Sequence, residues 1–136
     1  MVFFSAAIPN TVSAIRVGYL TQARYIILPT SVYTRALLDA LVRCGAIASY
    51  ANYPRKGSTW TYCKIYLLYH NAMPAITHIQ VLSVPSKTLV IGIRDLIAAM
   101  STRRGCLILS TSRGILTDRE AIKLHTGGVC LVLVLI

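Results

Sequence analysis

Apolar positions recur along this chain in short blocks, and the period of the recurrence changes from block to block. Over Val32–Cys44, Leu37, Leu38, Leu41 and Val42 repeat at helical spacing. Ser31 stands before this block as an N-cap, Arg43 lies in its last turn and Gly45 follows as a stop, so the spacing predicts a helix over 32–44. Ahead of it, Tyr25-Ile26-Ile27-Leu28 runs into Pro29 and predicts a short strand. Behind it, Ala46–Tyr53 predicts a strand closed by the basic turn Pro54-Arg55-Lys56-Gly57. Cys63–Tyr69 is apolar and aromatic, and Asn71–Pro74 reads as a hairpin connection to a strand at Ile76–Leu82. With a helix at the N-terminus, the first half is helix, strand, helix and then three strands.

The second half opens near Pro85. Thr88–Ile91 predicts a strand, Ile93–Met100 a short helix and Cys106–Leu109 another strand. Thr117-Asp118-Arg119-Glu120 has the capping-box pattern and opens a helix to about Leu124. Gly127-Gly128 ends that helix and leads into the last strand. Mixed elements in this order predict an α+β protein with antiparallel character. Two small lobes, 1–83 and 84–136, divided near Ser83–Ser86, fit the pattern better than one sheet. There is no internal repeat and no low-complexity tract.

Charge sharpens this picture. The 136 residues carry 14 Lys plus Arg against 4 Asp plus Glu, a formal net charge of +10. Such an imbalance predicts attraction to a polyanion, either nucleic acid or an anionic membrane surface. The mean hydropathy of +0.62 invites a membrane reading. The longest stretch free of charged residues, Ile65–Ser86, is broken by His70, Asn71, Pro74, His78, Gln80 and Pro85. A spanning helix needs about 20 predominantly apolar residues. Val129–Ile136 is too short to span, so a soluble protein with no membrane partner is expected. Met1–Leu20 carries only Arg16, too few arginines for a transit peptide, and Pro9 and Asn10 interrupt it as a signal sequence.

Metal and redox chemistry find little support. Cys44, Cys63, Cys106 and Cys130 form no close pair, which leaves buried free thiols as the expectation. His70, His78 and His125 show no ligand-like grouping, so surface or hydrogen-bonded roles and no metal are expected. Asp118, His125 and Ser112 can be assembled on paper into a nucleophilic triad. Their spacing does not support it, and Asp118 and Glu120 are explained by the capped helix start.

The segment that stands out is Ser110-Thr111-Ser112-Arg113-Gly114, a hydroxyl-rich loop between the strand at 106–109 and the capped helix. Short hydroxyl side chains on a tight turn can approach the wide, shallow minor groove of A-form RNA, with its 2′-hydroxyls and base edges. Arg113 adds a phosphate or stacking contact. Ser, Thr and Gly are also ordinary turn residues, so composition alone leaves both readings open. Arg55-Lys56 and Arg103-Arg104 are solvated charge or phosphate contacts. Tyr50, Tyr53, Trp60 and Tyr62, around the basic tip, can stack on unpaired bases or pack within a hairpin.

The run Leu107 to Ala121, with Ser110-Thr111-Ser112-Arg113-Gly114 and Thr117-Asp118-Arg119-Glu120-Ala121, followed by Gly127-Gly128, resembles the C-terminal signature of the small-subunit ribosomal protein eight family. Ile15-Arg16, Pro29-Thr30-Ser31 and Ser83-Val84-Pro85 extend the resemblance from about residue 9 to 136. The resemblance implies a structural protein of the small ribosomal subunit that binds central-domain rRNA, supports assembly and has neighbouring ribosomal proteins as partners. It implies no catalysis, no cofactor and no small-molecule substrate. It implies N-terminal helices on a short mixed sheet, and a mostly β C-terminal lobe that lies against an RNA helix. Carried over by position, RNA contacts fall on Ser110, Thr111, Ser112, Arg113 and Gly114, with Arg16, Ser31 and Lys87 as further backbone contacts. Val32, Val84 and Val129 depart from the family, which carries Lys, Lys and Glu there. Each lost Lys predicts a salt slope shallower by about one unit. The apolar composition and the missing lysines point to an organellar ribosome, mitochondrial first, with plastid and bacterial ribosomes as alternatives. A free RNA-binding regulator of the same fold, or a small hydrolase, are the competing functions.

Overall fold

A computed structural model describes residues 7–54, 56–57, 61–83, 87–100 and 105–135. The chain forms two compact units, one spanning Ser5–Ala75 and the other holding Ile76–Ile136.

The N-terminal unit runs α1 (Ala7–Leu20), β1 (Tyr25–Pro29), α2 (Val32–Cys44), β2 (Ser49–Tyr53), β3 (Tyr62–Tyr66), β4 (Tyr69–His70) and β5 (Met73–Pro74). Its main sheet has the order β1-β3-β2. Expected as mixed, this sheet is antiparallel in both its pairings. The core is built from Val12 and Ile15 of α1, Leu37, Leu38 and Leu41 of α2, and Cys63 and Ile65 of β3, all buried. Tyr19 ties the unit together: its hydroxyl donates to the Ala46 carbonyl (2.5 Å) and accepts from the Leu68 N–H (3.1 Å). Burial pushes its phenol above the usual tyrosine range.

Helix α2 has the predicted bounds because every local signal agrees. Ser31 accepts from the Thr34 N–H, and Gly45 takes a left-handed φ of +84°. The Gly45 and Ala46 N–H groups then bond back to Val42 and Leu41. The same closure ends α1 without glycine: Gln22 (φ +57°) and Ala23 bond to Tyr19 and Gly18. The hairpin expected at Asn71–Pro74 is present as β4–β5, turned by Asn71 and Ala72 with φ of +54° and +65°, the type I′ pattern. It does not lead into a neighbouring strand of the same sheet.

The C-terminal unit runs β6 (His78–Val81), β7 (Val90–Ile91), α3 (Ile93–Met100), β8 (Gly105–Thr111), β9 (Gly114–Thr117), α4 (Asp118–Lys123) and β10 (Gly128–Leu135). The strand order is β6-β10-β8-β9, with β7 also paired to β10. Because β6 pairs with Val132–Leu135 of β10, the division falls between Ala75 and Ile76 rather than near Ser83–Ser86. Leu96, Leu107, Leu109, Ala121 and Cys130 form the core of this unit, with Leu82, Ile91, Ile122 and Leu133 packed against it. Strand β9 takes up residues that the sequence reads as the end of a loop.

Cys63, Cys106 and Cys130 are buried free thiols, and the free Cys44 is half-buried. Among the described residues no helix is long and apolar enough to cross a membrane. Nor do three His, Cys, Asp or Glu residues there group as metal ligands. Arg55, Trp60, Val84, Pro85, Ser86, Arg103 and Arg104, each drawn into the sequence reading, lie outside the described residues.

Candidate nucleic-acid interface

The hydroxyl-rich segment is a tight hairpin between β8 and β9. Thr111 pairs with Gly114, Ser110 with Ile115, and Ser112-Arg113 forms the tip. Neither tip residue has a positive φ, whereas Gly114 has φ +103°. This is the arrangement of a type I turn closed by a glycine bulge. A side chain at Gly114 would be strained by that φ, yet a Cβ there would meet nothing within 4 Å, so the backbone at the tip is open to approach.

The five residues therefore divide. Ser112, Arg113 and Gly114 are exposed. Ser110 and Thr111, expected at an exposed turn, are only 5% and 6% accessible. Thr111 closes the turn from within: its hydroxyl accepts from the Arg113 N–H (3.1 Å) and donates to the Gly114 carbonyl (2.9 Å). Ser110 lies between β9 and β10, opposite Ile115 on one side and Val129 on the other. Hydroxyl residues at a strand end look like loop residues in a sequence, because their side-chain bonds to nearby backbone suit either setting.

Two features brace the hairpin. Gly128 packs against the Ser110 backbone so closely that a Cβ there would lie 2.4 Å from the Ser110 carbonyl oxygen. Gly127 approaches the Ile91 carbonyl in the same way, at 2.5 Å. The glycine pair, read from sequence as a helix stop, is thus a close-approach device. A glycine pair opening a strand was the signal for it. The helix end belongs instead to His125, with φ +54°, whose N–H and that of Thr126 bond back to Ile122 and Ala121.

The second brace is α4, which follows β9 directly. Thr117 and Glu120 form the predicted capping box, each side chain accepting from the other's backbone N–H. Asp118 is 6% exposed and accepts from the Arg119 N–H (2.8 Å) and the Cys106 thiol (3.7 Å). Its carboxylate is thus committed to the helix start.

The other sequence candidates lie on other segments of the chain. Lys87 is exposed on the segment entering β7, two residues before Leu89, whose carbonyl accepts from the Cys130 N–H. Arg16 and Ser31 are exposed on the N-terminal unit. Ser31 and Val32 line an open recess of about 280 Å³ with Thr30, Arg35 and Thr61. The Arg35 guanidinium also donates to Asn52 (2.9 Å). Val32 is 79% exposed, and Val129 is buried.

Residues 6–135 match the family model described as Ribosomal protein S8. The chain belongs to the ribosomal protein S8 family. It is 32% identical over 124 residues to small ribosomal subunit protein uS8 of Ehrlichia chaffeensis, covering 91% of this chain and 92% of the relative. It is 32% identical to uS8m of Acanthamoeba castellanii, over 88% of this chain and 91% of that one. With uS8 of Thermus thermophilus the identity is 34%, over 74% and 77% of the two chains. Membership of the S8 family gives the chain a structural role in the small ribosomal subunit.

Proposed function

We propose that this S8-family chain binds central-domain rRNA of the small subunit directly through the β8–β9 tip, and thereby supports subunit assembly. The observation that carries the proposal is the division within the hairpin. Ser110 and Thr111 are buried and hold the turn, while Ser112, Arg113 and Gly114 are presented at its tip over open backbone. A preset tip loses little entropy on binding. The Ser112 hydroxyl and the Gly114 backbone suit the 2′-hydroxyl-lined minor groove, and Arg113 suits a phosphate. Ser110 and Thr111 act through the shape of the turn. Arg16, Ser31 and Lys87 add phosphate-backbone contacts. The mechanism involves no bond making: the chain clamps a folded RNA helix so that neighbouring ribosomal proteins find a shaped site.

The test is affinity for a central-domain rRNA hairpin against a scrambled duplex across a salt series. A gap of about a thousandfold or more at physiological salt is expected. Equal and steeply salt-dependent binding to both RNAs would overturn the proposal. Ser112→Ala should lower cognate affinity and spare nonspecific binding, whereas Arg113→Ala should weaken both and reduce the salt slope by about one. The apolar composition and the uS8m relative favour a mitochondrial ribosome. Sedimentation of the chain with plastid or bacterial subunits would refute that placement.

A further inference from the structure

The antiparallel register of β1, β3 and β2 sets nine side chains of one sheet face in three rows: Tyr25, Tyr66 and Ser49; Ile27, Lys64 and Ala51; Pro29, Tyr62 and Tyr53. The opposite face holds the buried Cys63 and Ile65, so this one turns outward. Tyr25, Tyr66 and Tyr53 are 46%, 39% and 36% exposed. Four of the nine positions are tyrosine, none is acidic, and the single charge, Lys64, stands at the centre. Its ammonium lies 4.0 Å from the Tyr25 ring centroid and 5.3 Å from that of Tyr66, and the two rings are 6.4 Å apart.

We propose that this face is a stacking platform for unpaired ribonucleotides, a second RNA contact distinct from the β8–β9 tip. It takes from the proposed function only that the chain works among RNA. Aromatic rings around a cation are what a single strand recognises: bases stack on the rings and the cation meets the backbone. A cation–π contact on a partly exposed sheet face is modest, so a phosphate can draw Lys64 off Tyr25 and free the ring face for a base. Ser49 and Ala51, both small, leave room beside the rings. The central lysine also decides between partner classes. Protein interfaces deplete Lys at their cores, because burying an unpaired ammonium is costly, whereas a polyanion pairs with it. The chain's net charge of +10 favours the same class of partner.

The experiment uses the full chain and a labelled single-stranded octa-adenylate RNA, read by anisotropy across a salt series. Replacing both Tyr25 and Tyr66 by Leu should weaken octa-adenylate binding about tenfold or more, since stacking contributes that much per base. Replacing both by Phe should leave it near wild type. Lys64→Gln should lower the salt slope by about 0.7, the value for one phosphate on a single strand. Arg113→Ala should disturb central-domain hairpin binding far more than octa-adenylate binding, which separates the two contacts. Tyr25 and Tyr66 are exposed and Lys64 is half-buried, so an unchanged melting temperature is the control for folding. Equal octa-adenylate affinity of the Leu pair and wild type overturns the proposal. So does a Leu pair that binds every RNA normally yet fails to enter subunits, which would make the face a protein contact.

Discussion

Along β3 of the N-terminal sheet, burial alternates: Cys63 and Ile65 are buried while Tyr62, Lys64 and Tyr66 are not. Along β8 of the C-terminal sheet, every residue from Cys106 to Thr111 is buried. The first sheet has one face on a core and one face outward, and it keeps chemistry on that outward face. The second buries β8 on both faces, and its hairpin presents polar groups only at the tip. A sheet of the first kind tolerates change on its open side and offers an area. A sheet of the second kind offers a point, held to a fixed shape by the packing around it.

The sharpest way to break this contrast is to make the same substitution in each sheet. Ile108→Ala, at a fully buried position of β8, should cost about 2–5 kcal/mol in urea unfolding. Ile27→Ala, on the half-buried open face, should cost about 1 kcal/mol or less. Similar losses at the two sites would mean that the sheets do not differ as described. Next in size is Gly128→Ala, which forces a Cβ against the Ser110 carbonyl and should cost about 1–3 kcal/mol. Cognate RNA affinity should fall with it, because the strand that holds the tip must shift. Thr117→Ala removes one half of the capping box and should cost about 1 kcal/mol by thermal melting, with hairpin RNA binding little changed.

The smallest expected effect is on the N-terminal side and depends on pH. The Tyr50 hydroxyl donates to the Asp39 carboxylate at 2.5 Å, linking β2 to α2. That bond, followed by burial, pushes the phenol from its ordinary 10.0 up to about 12. A raised value means that the folded chain holds the proton more tightly than the unfolded one. The resulting stability is complete below pH 10.0 and is lost as pH climbs towards about 12. Absorbance titration of the chain against Tyr50→Phe should place the midpoint near 12, and Asp39→Asn should return it towards 10.0. A midpoint unmoved by Asp39→Asn would show that the bond does not hold the proton.

What the sequence makes legible follows from where the signals are local. Helix α2 is readable to the residue because Ser31, the leucine spacing and Gly45 all act within one segment. The capping box at Thr117 and the strand before Pro29 are readable for the same reason. Helix ends at Gln22 and His125 are not, since the left-handed conformation is there imposed on residues that do not favour it. The pairing of β6 with β10 cannot be read either, because nothing in His78–Val81 names a partner some fifty residues away. That gap displaced the expected boundary. At the candidate site the exposed tip was legible, but the burial of Ser110 and Thr111 was not. Strand β9 is not legible because Gly114 and its hydroxyl neighbours look like turn, and the apolar Ile115-Leu116 between them is brief.

The place of β10 in its sheet has a consequence for how the chain is made. β6, β7 and β8 all pair with β10, and it is the last of the five strands to be synthesised. The N-terminal pairings are complete by Pro74, in one continuous stretch. At 5–20 residues per second, β6 waits roughly 3–11 s for the completion of its partner β10, and β8 roughly 1–5 s. Throughout that interval β6 and β7 carry unpaired edges, and β8 lacks its neighbour on one side. The nascent chain is therefore most open to mispairing and aggregation just before β10 is made, and a synthesis stall ahead of Gly128 leaves one half assembled and the other without its centre.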